Sequence, residues 1–236
     1  MPSKFDQRSD DPEIMDDLQH KGEIIDKTLR ELEIINRLLG GNQVTINGIN
    51  ALLSFKPKQV ITIADLGCGG GDILKLVAKW GRRKNIRLEM TGIDANPNIV
   101  AYARKNTISY PEIKYEVVNI FSEEFRSKQF DMVVATLFTH HFTNEELIDL
   151  FKLLAKQTRI GIVINDLHRH WFAFHSIKWL TYFFSKSYMV KTDAPLSVLR
   201  AFHKNELISI LSKAGIANYT LRWRWAFRWE LIIFNR

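Results

Sequence analysis

Cysteine is nearly absent from this sequence. The single Cys68 excludes an internal disulfide and fits a reducing compartment, so a cytoplasmic location is expected. No run approaches the roughly 18 uninterrupted apolar residues that a membrane span needs. The start, MPSKFDQRSDDPE, is polar and acidic without an apolar h-region, so no signal peptide is expected. Cysteine and histidine do not cluster at zinc spacing, and no metal is expected. No Lys-Ser or Lys-Thr follows the glycine-rich turn, which excludes a phosphate loop.

What is present supports a sizeable core. Hydrophobic residues make up 46% of the 236 positions, and the 25% that are charged are ordinary. The length fits one α/β domain at 57–236, preceded by a helical cap at 1–56 and carrying a lid insertion at about 168–202. The net charge of +7 permits contact with nucleic acid or an anionic membrane and proves neither. No oligomeric state follows from the sequence.

The stretch Ile61–Ile73, ITIADLGCGGGDI, reads as a buried strand, a glycine turn and a helix start. Glycine permits φ > 0 there and lets a ligand approach the backbone. Asp72 is positioned to cap the following helix. In the dinucleotide fingerprint G-x-G-x-x-G, the third glycine would stand where this chain has Asp72, a carboxylate that would repel a pyrophosphate. What remains is Asp65-x-Gly67-x-Gly69-x-Gly71. This resembles motif I of class I S-adenosylmethionine (SAM) methyltransferases, whose acidic residue suits a cationic cofactor. Cys68, inside the turn, reads as a small buried hydrophobe.

The second strand, Arg87–Asp94, ends in an acidic residue, which in nucleotide-binding α/β folds accepts from ribose hydroxyls. Asn96 should cap the next helix with Pro97 at its first position. GIDANPNIVAYAR resembles the motif II region of the same family. A third strand is expected at Lys114–Asn119, where Asn119 offers an amide to an adenine edge or serves as a plain turn residue. Ile120 and Phe121 are placed to pack on the ring. The resemblance implies a cofactor crevice of Asp65, Gly67, Cys68, Gly69, Asp94, Ala95, Asn119, Ile120 and Thr136, with S-adenosylhomocysteine (SAH) as product. It also implies an α/β fold with a seven-stranded, mostly parallel, Rossmann-like sheet and an antiparallel last strand.

The fourth strand, Phe130–Leu137, runs into Phe138-Thr139-His140-His141-Phe142, and Thr143 with Glu146 forms a capping box. The N-P-P-[YFW] signature of many nucleic-acid and glutamine methyltransferases is missing, and the segment resembles the Leu-His-His of small-molecule enzymes. Asp166-Leu167-His168-Arg169 follows the fifth strand, Ile160–Asn165. NDLHR and DAPLSVLRAF resemble small-molecule methyltransferases of the ubiquinone/menaquinone type. A phenol with a pKa near 10 needs a base or a hydrogen-bond acceptor to become a good nucleophile. His140, His141, Asp166 and His168 are the candidates, because strand ends face the ligand in this fold.

The N-terminal pattern Glu13–Leu39 reads as one helix or as two parted at Gly22, stopped by Gly40-Gly41 and followed by a helix at Ile46–Phe55 leading to Pro57. Trp171–Tyr188 is aromatic on nearly every side, so it is either a wall of an acceptor pocket or a membrane contact. Asp193–Phe202 reads as a loop or short helix bringing Asp193, Ser197 and Arg200 to the mouth of the site, and Lys204–Ala214 as a helix. Tyr219–Trp225 and Trp229–Phe234 form a closing hairpin whose first strand reads as half-buried rather than nucleic-acid binding. Expected on this reading is O-methylation of a small phenolic, quinol or polyketide-like acceptor. The rivals are an RNA or protein methyltransferase and a SAM-binding protein without turnover.

Overall fold

The computed structural model describes residues 3–18, 20–53 and 59–235. Seven strands form one sheet: β1 (Ile61–Leu66), β2 (Leu88–Asp94), β3 (Ile113–Val117), β4 (Phe130–Thr136), β5 (Thr158–Leu167), β6 (Tyr219–Arg224) and β7 (Arg228–Phe234). Their order is β3-β2-β1-β4-β5-β7-β6. Strands β1 to β5 are parallel to their sheet neighbours among themselves, and β7 runs antiparallel to both β5 and β6. The mostly parallel sheet with an antiparallel last strand is as the sequence led us to expect.

β1 shows why the centre of the sheet is apolar on both sides. Ile61 and Ile63 join one core with Leu74 and Val77 of helix α3 (Asp72–Lys84). Ala64 and Leu66 join the other with Leu147 and Phe151 of α6 (Asn144–Gln157). To reach this, α1 (Glu23–Leu38) and α2 (Gly41–Leu52) are laid down before β1, and α4 (Pro97–Asn106) and α5 (Glu123–Arg126) flank β3 in the chain. A strand covered by helices on both faces alternates between two apolar layers. Each large aliphatic side chain buried this way contributes about 1.5–3 kcal/mol.

Several boundaries differ from the expected ones, each for a local reason. Glu13–Leu39 is split at Gly22 (φ 77°), as the sequence allowed, but the part before it is only a 3-10 turn at Ile14–Asp16. α2 begins at Gly41 rather than Ile46, and glycine fits that position because a Cβ there would lie 2.6 Å from Cζ of the buried Arg228. Phe55 and Pro57 lie outside the described residues. Gly71, at φ 75°, occupies the cap position of α3, so Asp72 is its first helical residue and not its cap. Asn96 and the Thr143–Glu146 box cap α4 and α6 as expected.

Trp171–Tyr188 divides into α7 (Trp171–Phe184) and the start of α8 (Tyr188–Arg200), capped by Ser187. α8 carries Pro195 in its interior and replaces the loop or short helix expected at Asp193–Phe202. α9 (Lys204–Lys213) then leads to the hairpin. β6 is an edge strand, and its aromatic residues are less covered than expected: Trp223 is 47% exposed, and Trp225, just beyond it, 73%. No helix among the described residues is long and apolar enough to cross a membrane.

Candidate active site

A cavity of about 750 Å³ opens at the carboxyl ends of β1, β2 and β4. The strand order reverses between β1 and β4, which makes this the usual ligand crevice of an open α/β sheet. The glycine turn forms its floor. Gly67 sits at φ 63°, and a Cβ there would strike the Phe138 ring. Gly69 sits at φ 49°, and a Cβ there would meet only Leu29 Cδ2 at 3.8 Å, so this backbone faces open space.

Three carboxyl groups surround the turn. Asp65 is buried, its Oδ2 has no hydrogen-bond partner, and its pKa lies well above the ordinary value because of burial and then Asp72 and Asp94. Burial, and then Glu33, pushes Asp72 up to about 6. Asp94 is also raised by burial, while the backbone N–H groups of Asn96 (2.9 Å) and Gly69 (3.4 Å) donate to it. A crowded acidic crevice over an open glycine cradle fits a cationic ligand, so these residues suit the ammonium and sulfonium of SAM. Cys68 is buried and its thiol is raised, first by burial, in keeping with an apolar role.

Ala95, Asn119, Ile120 and Thr136 also line the cavity. Asn119 Oδ1 accepts from the Phe121 N–H at 2.9 Å, so it serves as a turn residue, leaving only its amide for a ligand. The Thr136 hydroxyl shares a hydrogen bond of 2.8 Å with Thr45 of α2.

Beyond β4, the turn at Thr139–His141 carries the polar chemistry. His140 is buried, and its Nδ1 lies 2.6 Å from Asp166 Oδ1. Asp166 also accepts from the Thr139 hydroxyl (2.6 Å), the His140 N–H (3.1 Å) and the Leu167 N–H (2.8 Å). His140 Nε2 has no hydrogen-bond partner and lies 3.5 Å from Glu13 Oε1. Burial alone would lower the His140 pKa; Asp166 and then Glu13 outweigh it and lift it to about 9. Burial would raise Asp166, but His140 and Thr139 hold it well below the carboxylate range. Nδ1 thus belongs to Asp166, and Nε2 is the nitrogen available to a ligand.

The structure brings His140 and His141 to the cavity but not the other two candidates. Asp166 lies within β5, behind His140, and contacts the cavity only through that ring. His168 is turned into an aromatic cluster: its Nδ1 accepts from Trp223 Nε1 at 3.2 Å, and its ring meets Trp229 at 5.0 Å. Burial, followed by His170, His203 and Arg169, lowers it to about 4.

The residues that sequence reasoning missed come from the N-terminal segment. Glu13 faces His140, and Asp16 Oδ1 lies 2.7 Å from His141 Nδ1. Arg8 donates to the carbonyls of His140 (2.9 Å) and Phe142 (2.8 Å), fixing the turn. Of the three residues expected at the mouth, Asp193 and Ser197 line the cavity and Arg200 does not, and all three hold this segment down. Asp193 accepts from the Ile14 and Met15 N–H groups, the Ser197 hydroxyl donates to Glu13 at 2.8 Å, and Arg200 Nη1 donates to Asp16 at 3.0 Å. Glu13, His140 and His141 each offer one donor atom within 4.8 Å of the others. A cation could use that set, but a protonated His140 and Glu13 already satisfy each other's charge.

A family described as a methyltransferase domain matches residues 63–161. A non-reducing polyketide synthase, mapC, of Penicillium brevicompactum is 31% identical over 113 residues, covering 45% of this chain and 5% of the synthase. This chain therefore spans only a small part of that relative's length. Among solved structures, an O-methyltransferase family protein from Burkholderia thailandensis superposes with a TM-score of 0.67 at 18% identity, over 96% of this chain and 65% of that one. The plantazolicin methyltransferase BpumL in complex with SAH gives a TM-score of 0.65 at 16% identity, over 89% and 90%.

Proposed function

We propose that this chain, whose residues 63–161 match a methyltransferase domain family, is a SAM-dependent enzyme that methylates a small hydrophobic acceptor of the phenolic, quinol or polyketide-like class, on oxygen. The observation that carries this reading is His140, which lines an otherwise mainly apolar cavity, its Nδ1 held by Asp166 and its Nε2 paired only with Glu13 at 3.5 Å. SAM, when bound, supplies a methyl group on a sulfonium that is a ready leaving group. The residues suited to hold it are Asp65, Gly67, Gly69 and Asp94 in the acidic cradle, with Asn119, Ile120 and Thr136 beside them.

The chain's own work is alignment and proton handling. His140 takes the acceptor's hydroxyl proton at Nε2. Its pKa of about 9 lies close to that of a phenol, so the transfer is nearly balanced, at the cost of a small base population at neutral pH. Asp166 is a positioning residue that fixes the ring through Nδ1. Arg8 and Arg200 hold the carbonyls of the turn, and Leu32, Phe138 and Phe142 keep water from the apolar wall. The apolar lining disfavours a charged nucleotide by desolvation.

A second reading, methylation of an acidic carbon, is favoured by the polyketide synthase relative, and the same base would serve it. The test is methyl transfer from labelled SAM to phenols, quinols, 1,3-dicarbonyl compounds, RNA and proteins, with the methylated atom located by NMR. His140→Gln should lower the rate on the best acceptor by about a hundredfold or more. Transfer to RNA or protein alone would overturn the acceptor class.

A further inference from the structure

The exposed face of α7 is more aromatic than its packed face. Trp171, Phe172, Trp179, Tyr182 and Phe183 are each between 51% and 68% exposed, whereas Ala173, Phe174 and Thr181 are buried. Trp225, on the turn of the β6–β7 hairpin, adds to this surface, and the patch is linked to the hairpin where Phe172 and Phe227 rings meet at 5.9 Å. Large exposed aromatic patches mark interaction sites. Along the chain its charge has a single sign, although the Glu31 carboxylate accepts from the Lys186 N–H at 3.0 Å beyond its end. From Leu167 to Thr192 the chain has no aspartate or glutamate, while Lys178, Lys186 and Lys191 are all exposed. Tryptophan and tyrosine with lysine is the composition of a helix lying in a bilayer's headgroup layer, where the rings enter the interface and the lysine ammonium groups reach lipid phosphates.

We propose that α7 docks this protein on the surface of an anionic lipid bilayer. A second copy of the chain fits less well, because a symmetric contact would set the same lysines against each other. Phe172 and Trp225 both belong to the patch and line the cavity, together with Ile177 and Leu180 of α7. The mouth therefore opens toward the lipid, and an acceptor dissolved in the bilayer can enter without crossing water. This last step rests on the methyl-transfer reading, whereas docking itself does not.

Flotation with vesicles tests docking without any turnover. The full chain should float with phosphatidylcholine vesicles containing phosphatidylglycerol, at least about tenfold more tightly than with phosphatidylcholine alone, and added salt should weaken the binding. Trp179→Ser combined with Phe183→Ser removes two exposed rings and should reduce binding about tenfold or more, with an unchanged thermal melt and unchanged SAH affinity. Lys178→Glu with Lys186→Glu should reduce it on anionic vesicles specifically. Absence of flotation on anionic vesicles, or equal flotation of the Trp179/Phe183 variant, would overturn the proposal. A dimer in light scattering that the same variant abolishes, with no vesicle binding, would assign the face to a second copy instead.

Discussion

At the scale of single residues, the role proposed for His140 sets an expected response to pH. With its neutral form as the base, kcat/KM on a phenol should rise with pH through an inflection near 9 in the wild type. Glu13→Gln removes one of the two carboxylates that hold the proton, and the inflection should move toward the ordinary histidine value of about 6.5. An unmoved inflection would mean that Nε2 does not feel Glu13. The same pair shapes stability. His140 is raised on folding, so its contribution is full below about 6.5 and is lost as pH climbs through about 9. Asp166 is lowered, so its contribution is present above its ordinary value of about 3.8 and is lost as acid protonates it. His140 and Asp65 could be nominated from the sequence because each stands at a strand end with recognisable neighbours. Glu13 could not: in a run of acidic and polar residues it looks like one more solvated charge, and only the folded chain buries it.

Elements were legible where period and punctuation agreed. The strand, glycine turn and helix around Gly67–Gly71 combine a β-branched run with a turn that only glycine tolerates, and the capping box at Thr143 marks α6 in a few letters. α8 was not legible, because Pro195 reads as a breaker, yet packing of Met189, Val190 and Val198 carries the helix past it. The start of α2 was missed because glycine normally ends helices. Here Gly41 and Gly48 are small because the helix lies close against β5 and β7: Gly41 abuts Arg228, and a Cβ on Gly48 would strike Val163. Gly48→Ala should therefore lift α2 from the sheet and destabilise the protein by about 1–3 kcal/mol, read as a lower urea midpoint with an unchanged slope. Unaltered stability would show that α2 has room to spare. The shift would also stretch the Thr45–Thr136 hydroxyl contact at the rim of the cofactor crevice.

For the molecule as a whole, the sheet is built largely from neighbours in the chain, but the site is closed by contacts between its distant parts. Arg8 donates to the Arg200 carbonyl across 192 positions, and Ser197 donates to Glu13 across 184. Closing loops of that length costs only modestly more than closing short ones, but it is slow relative to pairing adjacent strands. On refolding from urea, far-UV circular dichroism should recover before methyl-transfer competence; simultaneous recovery would show that the N-terminal segment docks along with the sheet. On a ribosome the order is stricter still. Glu13 emerges long before Ser197 and Arg200 exist, so a nascent chain that already holds its glycine turn has Glu13 but not the residues that clasp its segment beside His140. On the proposed reading, proton transfer then waits for the finished clasp by the arithmetic of synthesis, with no inhibitor required.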